Sequence, residues 1–133
     1  MDECPLFLTL DEVLRLHAFQ VEQFGGDGQV LDLRLLESAV AMPQQAFGGR
    51  FLHESLAEMA AAYLFHIVRN HAFADGNKRT GMHAAIVFLE LNGYELDLPV
   101  DEAEQLTIAV AEGKADKKQV AEFFRRMMER RTA

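Results

Sequence analysis

Two stretches of this chain are too apolar to be left in water. Leu56–Val68 carries one charged residue, Glu58, and Gly81–Leu91 carries one, Glu90. Each is long enough for about three helical turns, and a helix that is apolar nearly all round must be buried nearly all round. The two segments are therefore expected to form the central pair of an all-α fold. The stretch joining them, Arg69 to Arg79, is as polar as they are apolar, and chemistry is most naturally placed there.

The flanking sequence supplies further helices. Thr9 and Glu12 have capping-box spacing, which predicts a first helix to about Phe24, burying Val13, Leu16, Phe19 or Gln20, and Val21. Gly25-Gly26-Asp27-Gly28 ends it. Asp32 is a plausible N-cap for a second helix carrying Leu35, Leu36, Ala39 and Val40, which stops before Pro43. Residues 43–52 have no helical period and read as a loop or small hairpin. The third helix is expected from His53 to Arg69 and the fourth from Lys78 to Asn92, closed by a left-handed Gly93. An extended piece, Tyr94–Leu98, precedes helices over 101–111 and 116–130.

Length and composition narrow the class. At 133 residues, half of them hydrophobic, the chain suits one globular domain spanning 1–133. Its 13 Lys and Arg against 21 Asp and Glu give a net charge of -8, which disfavours general duplex binding. The single cysteine, Cys4, makes no internal disulfide and fits a cytoplasmic location. The opening residues lack a basic, long-apolar leader, and no apolar run approaches the roughly 18 residues of a membrane span.

The joining segment departs from that acidic background. From Met59 through Leu89 the one acid is Asp75 and the cations are Arg69, Lys78 and Arg79. Lys78 and Arg79 stand where the fourth helix begins, so they oppose its dipole unless an anion binds there. Gly76 lets a ligand approach the backbone without a Cβ in the way. The imidazole of His71 can take a proton from a hydroxyl. Asp75 offers a hard oxygen to Mg²⁺, which binds through one or two carboxylates plus substrate phosphates. Asn77 can donate to a phosphate oxygen, Arg79 can bridge two, and Phe73 would anchor the loop. Taken singly, each has a plainer reading: Asp75 or Asn77 as an N-cap, His71 as structural, Lys78 and Arg79 as a solvated helix start. Their conjunction within about ten residues favours a site.

The string His71-Ala-Phe-Ala-Asp-Gly-Asn-Lys-Arg79 resembles the HxFx(D/E)GNxR signature of the Fic/Doc (Fido) family, and Lys78 is similar to the Doc, or death-on-curing, branch, where typical Fic adenylyltransferases have Gly. Leu35-Leu-Glu-Ser-Ala39 with Pro43-Gln44, Phe88–Tyr94 and Ala109–Gly113 extend the likeness over about residues 9–126. The resemblance implies an all-α Fido domain with the motif on a loop between two central helices. It also implies Mg²⁺-dependent transfer of part of a nucleoside triphosphate such as ATP onto a protein hydroxyl. For Doc proper that part is the terminal phosphate, and the target is a threonine of the translation factor EF-Tu. By position, His71 would be the general base and Asp75 the Mg²⁺ ligand; Gly76, Asn77, Lys78 and Arg79 would form the anion hole, with Arg79 neutralising phosphate charge. Residues 45–52 would match the family's flap, although Phe47 and Phe51 fit a core role equally well. Leu31 stands where relatives often have Arg. Ile108, four residues before Glu112, replaces the Ser or Thr of a self-inhibitory segment, so a separate antitoxin is implied, as for a toxin of a toxin–antitoxin pair.

Other readings are weaker. Five histidines (His17, His53, His66, His71, His83) raise a metal hydrolase, but no His precedes Asp as an HD-type site requires. His66 suits a core position with a hydrogen-bonded ring, and His83 a helix surface or a phosphate contact. A non-enzymatic adaptor that kept the fold is disfavoured by the intact motif, and adenylyl transfer is the alternative chemistry. Arg125-Arg126 and Arg130-Arg131 complement a helix C-terminus and need no nucleic acid. Met127, Met128, Phe123 and Phe124 are expected as core or dimer contacts.

Overall fold

A computed structural model describes residues 4–131, and Met1–Glu3, Thr132 and Ala133 of the expected 1–133 domain lie outside it. The described residues form six α-helices: α1 (Leu10–Phe24), α2 (Leu33–Ala41), α3 (Leu56–Asn70), α4 (Asn77–Leu91), α5 (Val100–Ala111) and α6 (Lys117–Arg131). A 3-10 turn (Met42–Gln44) and a two-stranded hairpin, β1 (Ala46–Phe47) and β2 (Arg50–Phe51), lie between α2 and α3. The all-α expectation holds, and residues 43–52 resolve as turn plus hairpin, with Ala46 opposite Phe51 and Phe47 opposite Arg50.

The apolar pair is central. α3 is buried along its length, from Ala57 through Tyr63 and Leu64 to Val68, and packs against α4, α6, α2 and α5. Gly81 sets how closely α3 and α4 approach: a Cβ there would lie 2.7 Å from Val68 Cγ2 and 3.2 Å from the Leu64 carbonyl. α1 rests on α4.

Local signals fix most boundaries. Thr9 Oγ1 accepts from Glu12 N–H at 3.1 Å while Glu12 Oε1 accepts from Thr9 N–H at 2.8 Å, the reciprocal box expected. Asp32 caps α2 through the Leu35 N–H. At the end of α4, Tyr94 N–H reaches the Leu89 carbonyl and Gly93 N–H the Glu90 carbonyl, with Gly93 at φ 94°. That is a Schellman closure. The third helix starts later than expected, at Leu56 rather than His53, because the Ser55 hydroxyl accepts from Glu58 N–H. Residues 94–98 join no strand ladder.

Two burial expectations need correction. Leu35 is 41% exposed and Phe19 is 48% exposed, whereas Gln20 and the unanticipated His17 are buried. Helical spacing put Phe19 and Gln20 on adjacent strips, and the polar strip is the one facing α4. Tyr63 also has a role invisible in the sequence: its hydroxyl accepts from the Leu8 N–H at 2.8 Å, and burial pushes its pKa up to about 12. Asn92 ties the same segment down, accepting from Leu6 N–H and donating to the Leu6 and Phe88 carbonyls.

Gly81→Ala should lower stability by about 1–3 kcal/mol through overpacking. Urea unfolding of the single variant and of Gly81→Ala in a Val68→Ala background checks the cause. The cost should shrink when the Val68 methyl groups are gone.

Candidate active site

The chain leaves α3 through His71, held at φ 50° and ψ 49°. Among the described residues it is the one non-glycine with positive φ, a conformation costing about 1–2 kcal/mol. Three features hold it there. Asn77, buried at the start of α4, accepts from Phe73 N–H through Oδ1 at 3.1 Å and donates from Nδ2 to the Phe73 carbonyl at 2.9 Å. The same Nδ2 donates to His71 Nδ1 at 3.3 Å. Residues 29–32 pair with the loop's other edge: Leu31 and Asp32 N–H groups donate to the Ala72 carbonyl, and Ala74 N–H to the Gln29 carbonyl. Phe73, fully buried, anchors the loop as expected.

Buried His17 completes the clamp. Its ring lies 3.6 Å from the Phe73 ring and within 6° of parallel, and its Nε2–H donates to the Asp75 carbonyl at 2.8 Å. Three residues on, Gln20 Nε2 donates to His83 Nδ1 at 2.6 Å. His83 is therefore committed to α1 rather than to open helix surface or phosphate, and burial lowers its basicity.

Neither Asp75 nor Asn77 caps α4. The N-cap is Gly76, left-handed at φ 85°, and no side chain caps the first turn. The N–H groups at the start of α4 are thus left for another acceptor. Lys78 and Arg79 are exposed, and among the described residues no carboxylate pairs with either. Arg79 instead lies 4.0 Å above the Phe24 ring. Asp75 is turned from these cations toward the glycine turn after α1: its Oδ2 accepts from Asp27 N–H at 2.8 Å. Gly26 makes room, since a Cβ there would stand 3.0 Å from Asp75 Cβ.

The loop therefore presents an uncapped helix start, two uncompensated cations, a steered imidazole and a steered carboxylate. Asn77's side-chain donors are occupied within the loop, so any anion contact from this residue falls to its backbone N–H. Among the described residues no three His, Cys, Asp or Glu converge as a metal cage. Asp75 fits the other mode of binding, in which one exposed carboxylate shares Mg²⁺ with phosphates and water.

The model of the family described as the Fic/DOC family matches residues 7–89, from ahead of the capping box through α4. The chain belongs to the Fic/Doc family. It is 45% identical over 100 residues to "Toxin Doc" of Mycolicibacterium smegmatis (strain ATCC 700084 / mc(2)155), covering 74% of this chain and 77% of that protein. It is 31% identical over 124 residues to "Protein kinase doc" of Escherichia phage P1, covering 90% of this chain and 94% of that one.

Within this Fic/Doc fold the hairpin divides its two aromatic residues. Phe51 packs against Phe7 at 5.6 Å, whereas Phe47 is 83% exposed. Leu31 contributes its backbone to the loop clamp and leaves its side chain exposed. Sequence reasoning missed His17 and Gln20 as loop supports. The available signal was their spacing from Val13, at i+4 and i+7, which places all three on one helical face. Two arginines of α6 form ion pairs within the protein, Arg126 with Glu102 at 2.7 Å and Arg125 with Glu122 at 3.2 Å; Arg130 donates to Met127 Sδ at 3.6 Å, and the Arg131 side chain lies outside the described residues. Phe123, Phe124 and Met127 are core, with Met128 packed against it.

His17→Phe retains a ring over Phe73 and removes the donor to Asp75. It should cost about 1–3 kcal/mol, because the Asp75 carbonyl loses its partner. Hydrogen exchange at Ala74 should accelerate more than exchange in α3, which a global loss of stability would not produce.

Proposed function

We propose that this chain is a Doc-like toxin of a toxin–antitoxin pair, a single domain over residues 1–133 acting in the cytoplasm. It transfers the γ-phosphate of a nucleoside triphosphate such as ATP to a hydroxyl of a target protein. The names of the two relatives, Toxin Doc and Protein kinase doc, support both halves of this reading. The observation that carries it is the uncapped start of α4, with Lys78 and Arg79 paired to no carboxylate among the described residues, six residues after a histidine held out of α3.

The geometry supports the following roles. Backbone N–H groups of the first turn, Gly76 and the two cations receive the triphosphate. Arg79, oriented on Phe24, offers two parallel donors to phosphate oxygens. Asp75 would hold Mg²⁺, which would supply positive charge to offset the phosphates. His71 takes the proton of the attacking hydroxyl at Nδ1, where the 3.3 Å contact from Asn77 is long enough to be exchanged for a shorter one. The hairpin, with Phe47 exposed, is the surface that receives the target backbone. A translation factor such as EF-Tu is the first target to assay, and a separate antitoxin restrains the site.

His71→Ala should lower γ-phosphate transfer by about 10²–10⁴-fold with helix content unchanged. His71→Gly should be equally inactive yet more stable than His71→Ala by about 1 kcal/mol, since glycine suits the left-handed position. Near-normal transfer in either folded variant removes His71 from the mechanism.

Lys78 decides between phosphate and AMP as the group moved. A lysine at the helix start crowds the anion site and fixes positive charge on one side of it. Lys78→Gly should therefore reduce transfer from γ-labelled ATP, and any label gained from α-labelled ATP would mark the reversed orientation. An unchanged γ-transfer rate would refute this account of Lys78.

A further inference from the structure

Away from the loop, one cluster of titratable groups has no part in the reading above. Lys117, the first residue of α6, points its Nζ between two imidazoles, 3.0 Å from His53 Nε2 and 2.9 Å from His66 Nε2. His53 lies between β2 and α3, and His66 is on α3. An amine at this position donates to both rings, so both must accept at Nε2, and a protonated ring cannot. Among the described residues no carboxylate reaches Lys117 within ion-pair distance. Glu58 faces His53 but hydrogen-bonds to the Ser55 hydroxyl, and Asp116 accepts from the Gln119 N–H.

Burial and the helix dipole disfavour an ammonium here, while the two ring acceptors accept from either protonation state. Lys117 is half-buried, and as the first residue of a helix its charge opposes the dipole. The Phe65 ring, 5.9 Å away, compensates weakly. Burial lowers the basicity of Lys117, and burial together with Lys117 brings His66 down to about 4 and lowers His53. Three basic groups thus converge, and among the described residues no carboxylate lies within ion-pair distance of Lys117. Once Lys117 gives up a proton, its amine stands between two neutral proton acceptors, an arrangement that suits a nucleophilic lysine.

We propose that Lys117 is a covalent modification site, a nucleophilic amine that is acylated by acyl phosphates, with His53 and His66 as proton acceptors. The Nζ lone pair attacks the acyl carbon and the N–C bond forms. The bond from that carbon to the phosphate oxygen breaks, and phosphate leaves with the electron pair. The displaced Nζ proton passes to Nε2 of one imidazole and from there to solvent. The product amide has one N–H, so it can hold one ring where the amine held two, and the tie from α6 to α3 and to the segment after the hairpin is weakened.

The chain supplies its own comparison, because Lys114 and Lys118 lie on the same surface region and are exposed, with Lys114 paired to Glu112 at 3.1 Å. The full chain is incubated with acetyl phosphate from pH 7 to 10, and acetylation is followed at each lysine by peptide mass spectrometry. At pH 7.5 Lys117 should react several-fold faster than Lys118, because a larger share of its amine is deprotonated. Its rate should also level off at a lower pH. The His53→Gln and His66→Gln variants, which keep a polar side chain but remove the base, should bring Lys117 toward the Lys118 rate. A Lys117 rate no greater than that of Lys118, whether from charge or from shielding, overturns the proposal, as does a fast rate indifferent to both histidines. No transfer activity is read, so the outcome is independent of the function proposed for the loop.

Discussion

The buried amide of Asn77 spends all its donors on the loop that precedes it, and the rest of the site depends on that commitment. By pairing with both backbone groups of Phe73 and with the His71 ring, it turns six residues into a rigid bridge between α3 and α4. A side chain so used cannot also cap its own helix, and Gly76 has none to offer. The first turn of α4 is thus left with free N–H groups beside two cations. In an isolated helix this start would fray, since dipole and side-chain charge repel each other there. Here it is secured from the other end, by the burial of Thr80, Gly81, Ala84 and Ala85 against α3. Apolar packing holds in place a helix terminus that local electrostatics would melt.

α1 serves this site more than its distance in sequence implies. His17 carries the loop backbone at Asp75, Gln20 occupies His83, and Phe24 lies beneath Arg79. The glycine turn that follows then returns an N–H to the Asp75 carboxylate. One helix and its exit thereby orient both signs of charge in the loop, the acid from its edge and the guanidinium from its end. Buried polar pairs such as His17 with the Asp75 carbonyl are favourable only when both partners are met. That makes them exacting: a shift of α1 along α4 would leave several of these groups unpaired together.

The parts of this architecture legible in the sequence are those decided within a few residues. The Thr9–Glu12 box, the Asp32 cap, the Gly93 closure and the all-round apolarity of α3 and α4 are local statements, and the fold honours them. The conjunction of His71, Asp75, Gly76, Lys78 and Arg79 also stood out, because it violates local charge preference. What escaped were pairings across long sequence separations. The bridge between residues 29–32 and 72–74, the Tyr63 bond to Leu8 and the meeting of His53, His66 and Lys117 leave no periodic trace. Polar residues on a buried face blunted the hydrophobic pattern too, so His17 is missing from the expected face and Phe19 stands there as an alternative to Gln20. The late start of α3 is different in origin, a local cap in which the Ser55 hydroxyl accepts from Glu58 N–H.

The locally unfavourable features are not scattered. A left-handed histidine, cations at a helix start and the buried, unpartnered hydroxyl of Thr80 all fall within ten residues. Outside this stretch the main exception to local agreement is the cluster of His53, His66 and Lys117. Strain of this kind persists where surrounding structure over-determines it, and it concentrates where a site needs groups held ready rather than satisfied. Charge shows the same logic at a larger scale. A chain of net -8 keeps a window of +2 over residues 69–79 and turns its one acid toward a glycine turn rather than toward Lys78 and Arg79. Had Asp75 paired with either cation, the loop would be more stable and would present less field to an anion. Its capture by the Asp27 N–H keeps carboxylate and cations apart, each available to a ligand that carries both phosphate charge and a metal.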